Sequence, residues 1–262
     1  MDLQLNGKTA LVTAGSSGLG FGCALELARE GARVALCSRE VDRAQDAAGR
    51  ITQETGQPVL AFAADVARSA DLEALFAAVG EAFGRLDVLI CNAGGPPAGR
   101  FEVLADGHWE LAFQLTLMSV VRSVRLALPL MQAAGGGRVL TITSSSVKRP
   151  IDNLTLSNTF RPAVQGLCKS LSLELSAHNI QVNSLAPGRI ETERINQLDD
   201  LAASRKGVDR ADVRAESERD IPMGRLGQPE EFGRVAAFLC SPAAAYINGS
   251  SLLVDGGAVT SL

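Results

Sequence analysis

The octet Thr13-Ala14-Gly15-Ser16-Ser17-Gly18-Leu19-Gly20 lies between an apolar run, Ala10 to Val12, and a helical pattern, Leu19 to Glu30, that Gly31 closes. Glycines let a backbone turn tightly and approach a pyrophosphate. The helix start beside them offers free N–H groups and the positive end of a dipole. At the first strand-to-helix junction of a doubly wound sheet, such a turn suggests nucleotide binding. A second group of reactive side chains follows Ser144 in Thr143-Ser144-Ser145-Ser146, namely Lys148, Arg149 and Asp152. Lys148 would donate a proton if it were buried beside Arg149 and Arg161. The positive cluster suits a carboxylate- or phosphate-bearing substrate; charges solvated on a loop are the plainer alternative.

Metal chemistry has little to draw on. Five cysteines stand singly in apolar segments, without CxxC spacing, and only two histidines, His108 and His178, occur. No metal site is expected, and buried, reduced thiols of a cytoplasmic protein are. The net charge of −4 argues against a nucleic-acid partner. No run of about 18 apolar residues suggests a membrane span, and no basic-then-apolar leader opens the chain.

The elements that must position these residues alternate along the chain. Strands are expected at Ala10–Val12, Val34–Cys37, Pro58–Ala63, Leu86–Cys91, Arg138–Thr143, Ile180–Leu185 and Ser251–Val254. Helical patterns fall at 40–55, 70–83, 106–133 (with a kink near Pro129), 157–177 and Pro229–Cys240. Short apolar runs without clean alternation suit a parallel sheet buried on both faces. The expectation is a single α/β domain over 1–262, a Rossmann-type doubly wound, seven-stranded parallel sheet flanked by helices on both faces. Between Arg189 and Arg225, 17 of 37 residues are charged and none is aromatic, which reads as a solvated excursion or a mobile lid.

With these motifs in view, the chain resembles the short-chain dehydrogenase/reductase family, in the group that includes 3-oxoacyl-acyl-carrier-protein reductases. The family motif TGxxxGxG is matched at Thr13, Gly18 and Gly20, with Ala14 in place of the first glycine and Gly15 beside it. The resemblance implies cofactor contacts from Thr13, Gly15, Ser17, Gly18, Leu19 and Gly20. It implies the same for Asp65-Val66 after the third strand and for Asn92-Ala93-Gly94 after the fourth. Pro187, Gly188, Ile190 and Thr192 follow the sixth strand, with Thr192 facing the nicotinamide carboxamide. Arg225-x-Gly227-x-Pro229-Glu230-Glu231 and Val254-Asp255-Gly256-Gly257 match C-terminal signatures. A carbonyl/alcohol oxidoreductase with a small-molecule substrate is implied, and a homotetramer or dimer built on helices 106–133 and 157–177.

An acid at the end of the second strand would select NAD, whereas an arginine accommodates the 2′-phosphate of NADP. The chain has Ser38 and then Arg39 there, so NADP(H) is expected over NAD(H), with Glu40 a counter-signal.

The family's proton relay is where the chain departs. Ser144 matches the family serine, but thirteen residues on stands Ser157 in place of tyrosine, and four further Arg161 in place of lysine. Thr116 falls where the family has asparagine. The lone tyrosine, Tyr246, lies in a structural segment before the last strand. A serine hydroxyl is far too weak an acid to replace a phenol of pKa about 10. Arg161 still suits the ribose diol but stays protonated. Two readings therefore stand: an NADP(H)-dependent oxidoreductase using Ser144, Arg161 and either Lys148 or a water on Ser157, and a non-catalytic dinucleotide-binding scaffold or sensor.

Overall fold

A computed structural model describes residues 2–261. Seven strands form one parallel sheet: β1 Thr9–Val12, β2 Arg33–Ser38, β3 Leu60–Ala63, β4 Val88–Cys91, β5 Gly137–Ile142, β6 Ile180–Pro187 and β7 Ser251–Val254, in the order β3-β2-β1-β4-β5-β6-β7. The chain leaves β1 toward β2 and β3, then crosses back to β4. That reversal opens a crevice at the carboxyl ends of β1 and β4.

Side chains alternate across the sheet and both faces are buried. Ala10, Val12, Val34, Leu36 and Ile90 face one core, which α1 (Gly18–Arg29), α2 (Val41–Thr55) and α9 (Pro229–Leu239) complete. Leu11, Ala35, Leu89 and Val139 face the other, covered by α3 (Ser69–Phe83), α5 (Ser119–Ala133) and α6 (Thr155–Glu174).

The helix expected over 106–133 is composite. It runs as α4 (Asp106–Ala112), a π-helical turn (Phe113–Met118) and then α5, which contains Pro129. A π turn thus interrupts the α-helical bonding well before the proline, which stands inside α5 and removes one further bond. By length and mean hydropathy the whole run would pass for a membrane span. Its inner face, with Val120, Val124, Ala127 and Met131, is buried in the second core.

The charged stretch forms two helices, α7 (Glu193–Lys206) and α8 (Arg210–Asp220). They are held by ion pairs rather than by an apolar face. Asp199, 1% exposed, pairs with Arg189 and, at 3.5 Å, with Arg214. Arg214 also bonds Glu191 at 2.7 and 3.0 Å and Asn196 at 3.0 Å.

Candidate active site

The nucleotide turn is built by close backbone approach. Gly15 N–H donates to the Cys37 carbonyl at 2.9 Å, and a Cβ on Gly15 would sit 2.9 Å from that of Leu36. A Cβ on Gly20 would meet Ala14 O at 2.5 Å and Asn92 Nδ2 at 2.6 Å. Thr13 Oγ1 donates to Asn92 O at 2.7 Å and accepts the Asn92 N–H at 2.9 Å, while Asn92 Nδ2 donates to Ala14 O at 3.0 Å. Thr13 and Asn92 thus lock the turn to the end of β4 with their own polar groups. Ser17 starts α1 in extended conformation and its side chain makes no capping bond. Four N–H groups at a helix start have no intrahelical partner. Here the side chain that would cap them does not, so they suit a pyrophosphate.

The other expected binding residues stand at or just beyond the carboxyl ends of β1, β2, β3, β4 and β6. Gly18, with φ 54°, touches Thr192, whose Cγ2 would lie 3.2 Å from an added Cβ. Thr192 caps α7 by accepting the Ile195 N–H at 3.3 Å. Gly188 lies against Asp255 and donates to Val254 O, and Ile190 is buried and bridged to Gly227. Asp65 holds its own loop, accepting the Ala67 N–H at 3.0 Å, and Val66 is buried. Ala93 is half-buried, and Gly94 is exposed with open space above it. Ser38 ends β2 half-buried; Arg39 is exposed and makes no ion pair among the described residues, while Glu40 pairs with Arg43 at 3.2 Å.

The four positions expected to form the relay gather around α6. Ser157 and Arg161 are one turn apart, hence on one face. α6 packs against both the 3-10 turn that Ser144 begins and the π turn that carries Thr116. Ser144 Oγ accepts the Ser146 N–H at 3.1 Å, which leaves its proton to donate. Thr116 Oγ1 is buried without a partner. Arg161, 8% exposed, donates through Nη1 to Ile142 O at 2.6 Å. Burial first, and then the nearby Arg194 charge, push its pKa down to about 10, so it remains a cation near neutral pH.

Two expectations need correction. Lys148 and Arg149 are exposed on the loop, so the burial on which a Lys148 proton donor depended is missing. Asp152 is a tie rather than a site group, bonding Arg100 at 3.0 Å and Arg205 of α7 at 3.0 Å. Arg194 had no signal beyond its place two residues after Thr192. Its Nη2 donates to Pro96 O at 2.7 Å and its guanidinium lies over Gly95. The five cysteines are free and buried, and burial raises the Cys37 and Cys168 thiols to about 11, leaving them protonated and unreactive. No metal cluster occurs among the described residues.

The strand order and the glycine turn at the switch point define a dinucleotide-binding fold of the doubly wound class. A family model described as enoyl-(acyl carrier protein) reductase matches residues 13–259. The chain belongs to the short-chain dehydrogenase/reductase family. It is 32% identical to 7alpha-hydroxysteroid dehydrogenase of Escherichia coli strain K12, over 100% of this chain and 98% of that protein. Among solved structures, L-sorbose reductase from Gluconobacter frateurii, complexed with NADPH and L-sorbose, superposes with a TM-score of 0.95 at 33% identity over 100% of both chains. A 7alpha-hydroxysteroid dehydrogenase, complexed with NADH and 7-oxo glycochenodeoxycholic acid, superposes with a TM-score of 0.88 at 31% identity, covering 100% of this chain and 98% of that one. The relatives are oxidoreductases of carbonyl/alcohol chemistry, and a nicotinamide dinucleotide is the cofactor class they share.

Proposed function

We propose that this protein is an NADP(H)-dependent oxidoreductase that interconverts a carbonyl and an alcohol on a small molecule through an altered proton relay. The observation that carries the reading is the uncapped start of α1 beside Thr192, with Ser144, Ser157 and Arg161 gathered where α6 packs on the turn after β5. The pyrophosphate would lie on the turn from Gly15 to Leu19, and Arg161 would hold the nicotinamide ribose with donors that Ile142 leaves free. When bound, the reduced cofactor supplies the hydride to the carbonyl carbon. Ser144 donates its hydroxyl to the substrate oxygen and fixes its position. Ser157 is too weak an acid to supply that proton, so it holds a water through which a proton from bulk solvent reaches the oxygen. Loss of a phenolic acid of this kind costs about 10² to 10⁴ in rate. A slow turnover is therefore expected, abolished by Ser144→Ala.

The exposed Arg39, free of carboxylates while Glu40 is engaged with Arg43, supports NADP(H) over NAD(H). Fluorescence titration tests this directly: NADPH should bind at least tenfold tighter than NADH, and Arg39→Ala should erase the difference. Equal binding by the wild type would overturn the assignment. The loss of Tyr and Lys together favours a second reading, a non-catalytic dinucleotide sensor. Hydride loss from bound NADPH to any carbonyl would dismiss it. Five reduced, buried thiols support a cytoplasmic setting. Exposed apolar side chains on α4 to α6 support a homotetramer or dimer.

A further inference from the structure

At the amino ends of the strands, opposite the nucleotide turn, a cavity of about 140 Å³ opens between the start of β5 and the chain that follows α9. Lys8, Asp87, Gly136, Arg138, Asn179 and Cys240 line it. Arg138 is half-buried and forms no ion pair among the described residues. Its one side-chain hydrogen bond runs from Nη1 to the neighbouring Gly137 O at 3.2 Å, and its buried Nε has no partner. Gln181, its register partner on β6, likewise keeps a buried Oε1 without a partner. A carbonyl satisfies a donor but does not neutralise a charge, and a cation drawn out of water is costly unless an anion joins it. The carboxylate in the lining is already engaged. Asp87 accepts the Thr9 N–H and O–H, Arg85 at 2.6 Å and Lys8 at 3.4 Å. Arg138 meets Asp87 through the backbone, its N–H donating to Asp87 O at 2.8 Å. The Cys240 thiol, pushed up to about 12 by burial, stays protonated and adds no negative charge.

We propose that this cavity is a binding site for a small tetrahedral oxyanion of the phosphate class, held by Arg138 with Lys8 beside it and separate from the nucleotide crevice. Arg138 Nε and Nη2, which bond nothing in the protein, form the fork that grips two oxygens of one anion. Hydrogen phosphate also brings an O–H, the donor that Gln181 Oε1 lacks. The anion joins residues at the starts of β1, β4 and β5, so it stabilises the sheet at the end a dinucleotide does not reach. The site does not depend on the oxidoreductase reading.

The probe is inorganic phosphate at neutral pH, with potassium chloride at matched ionic strength as reference and the melting temperature as readout. Phosphate raises melting temperatures by exclusion from any protein surface, so the site's share is the part of the increment that Arg138→Gln loses. That share should saturate, reaching about 2–5 °C at ten times the dissociation constant. Arg138→Lys, which restores the charge without the fork, should recover part of it. A cooperative melt of Arg138→Gln in chloride shows that the variant is folded; if it is not, Lys8→Gln carries the test and should show a smaller saturable increment than wild type. Equal increments in wild type and the folded variant would overturn the site. The melts are repeated with saturating NADPH, which displaces phosphate from the glycine turn. The Arg138-dependent share should persist, and its loss would place the anion in the nucleotide crevice and overturn a separate site. A chain that binds no NADPH ends the oxidoreductase reading, while the melts without cofactor still decide the cavity.

Discussion

Ala14 holds a left-handed backbone, φ 46°, at the position where the family motif has its first glycine. An L side chain there costs about 1–2 kcal/mol, partly offset by the smaller backbone entropy that alanine loses on folding. The conformation survives because Asn92 Nδ2 grips the Ala14 carbonyl and Gly20 packs against it. Ala14→Gly should therefore stabilise the protein by up to about 1 kcal/mol, read as a higher urea midpoint at unchanged slope. No change would mean that the strain is relaxed in solution. Much of this site was legible residue by residue. Glycines, a capping position and a relay serine carry their chemistry in their type and spacing. Arg194 was not legible, because a half-buried guanidinium whose side-chain bond goes to the Pro96 carbonyl is set by three-dimensional contact, not by spacing.

At the scale of elements, the strand runs and most helix spans were readable because a parallel sheet buried on both faces needs unbroken apolar runs. The π turn at Phe113–Met118 was not, since a single wide turn leaves the apolar periodicity of 106–133 intact. Nor were α7 and α8, which lack an apolar stripe and rest on ion pairs. α7 is tied down in part by Asp152, which bonds both Arg205 of α7 and Arg100. Asp152→Ala should speed amide hydrogen exchange across α7 and leave the melting temperature unchanged. Unchanged exchange would show that Asp199 and Pro96 hold α7 without it.

The opposite end of the sheet is a stability device. Asp87, 8% exposed, accepts the Thr9 N–H and O–H at 2.9 Å each and Arg85 at 2.6 Å. Burial alone would raise its pKa. The Thr9 N–H, the Arg85 and Thr9 side chains and the Lys8 charge outweigh burial and lower it. The folded state then binds this proton less readily than the unfolded chain. The stabilisation is complete above the ordinary carboxylate value of about 3.9 and is lost as pH falls through the lower folded value. Asp87→Asn should cost about 2 kcal/mol at pH 7 and little well below pH 3, measured by urea unfolding at both. An equal cost at both would assign the effect to packing instead.

Apolar side chains stand exposed on the helices that cover the second core: Leu173 on α6 is 72% exposed and Leu111 on α4 47%, and Phe101, 71% exposed, leads a chain of contacting rings through Trp109 and Phe160 to Phe113. Along α6, Pro162, Ala163, Gly166, Lys169, Ser170 and Leu173 form an exposed stripe at helical spacing. Small residues there let a second helix come close. Gly166 tests the proposed assembly apart from folding, because a Cβ built on it meets nothing within 4 Å. Within one chain, Gly166→Arg has room for its Cβ at an exposed position and gains up to about 1 kcal/mol of helix propensity. Across a helix-to-helix interface it places a charged side chain where two backbones meet. Light scattering of the variant should give a lower mass than the wild type, with the melt of the separated protomers still cooperative. An unchanged mass would remove α6 from the interface and leave the exposed leucine and aromatic rings to another role.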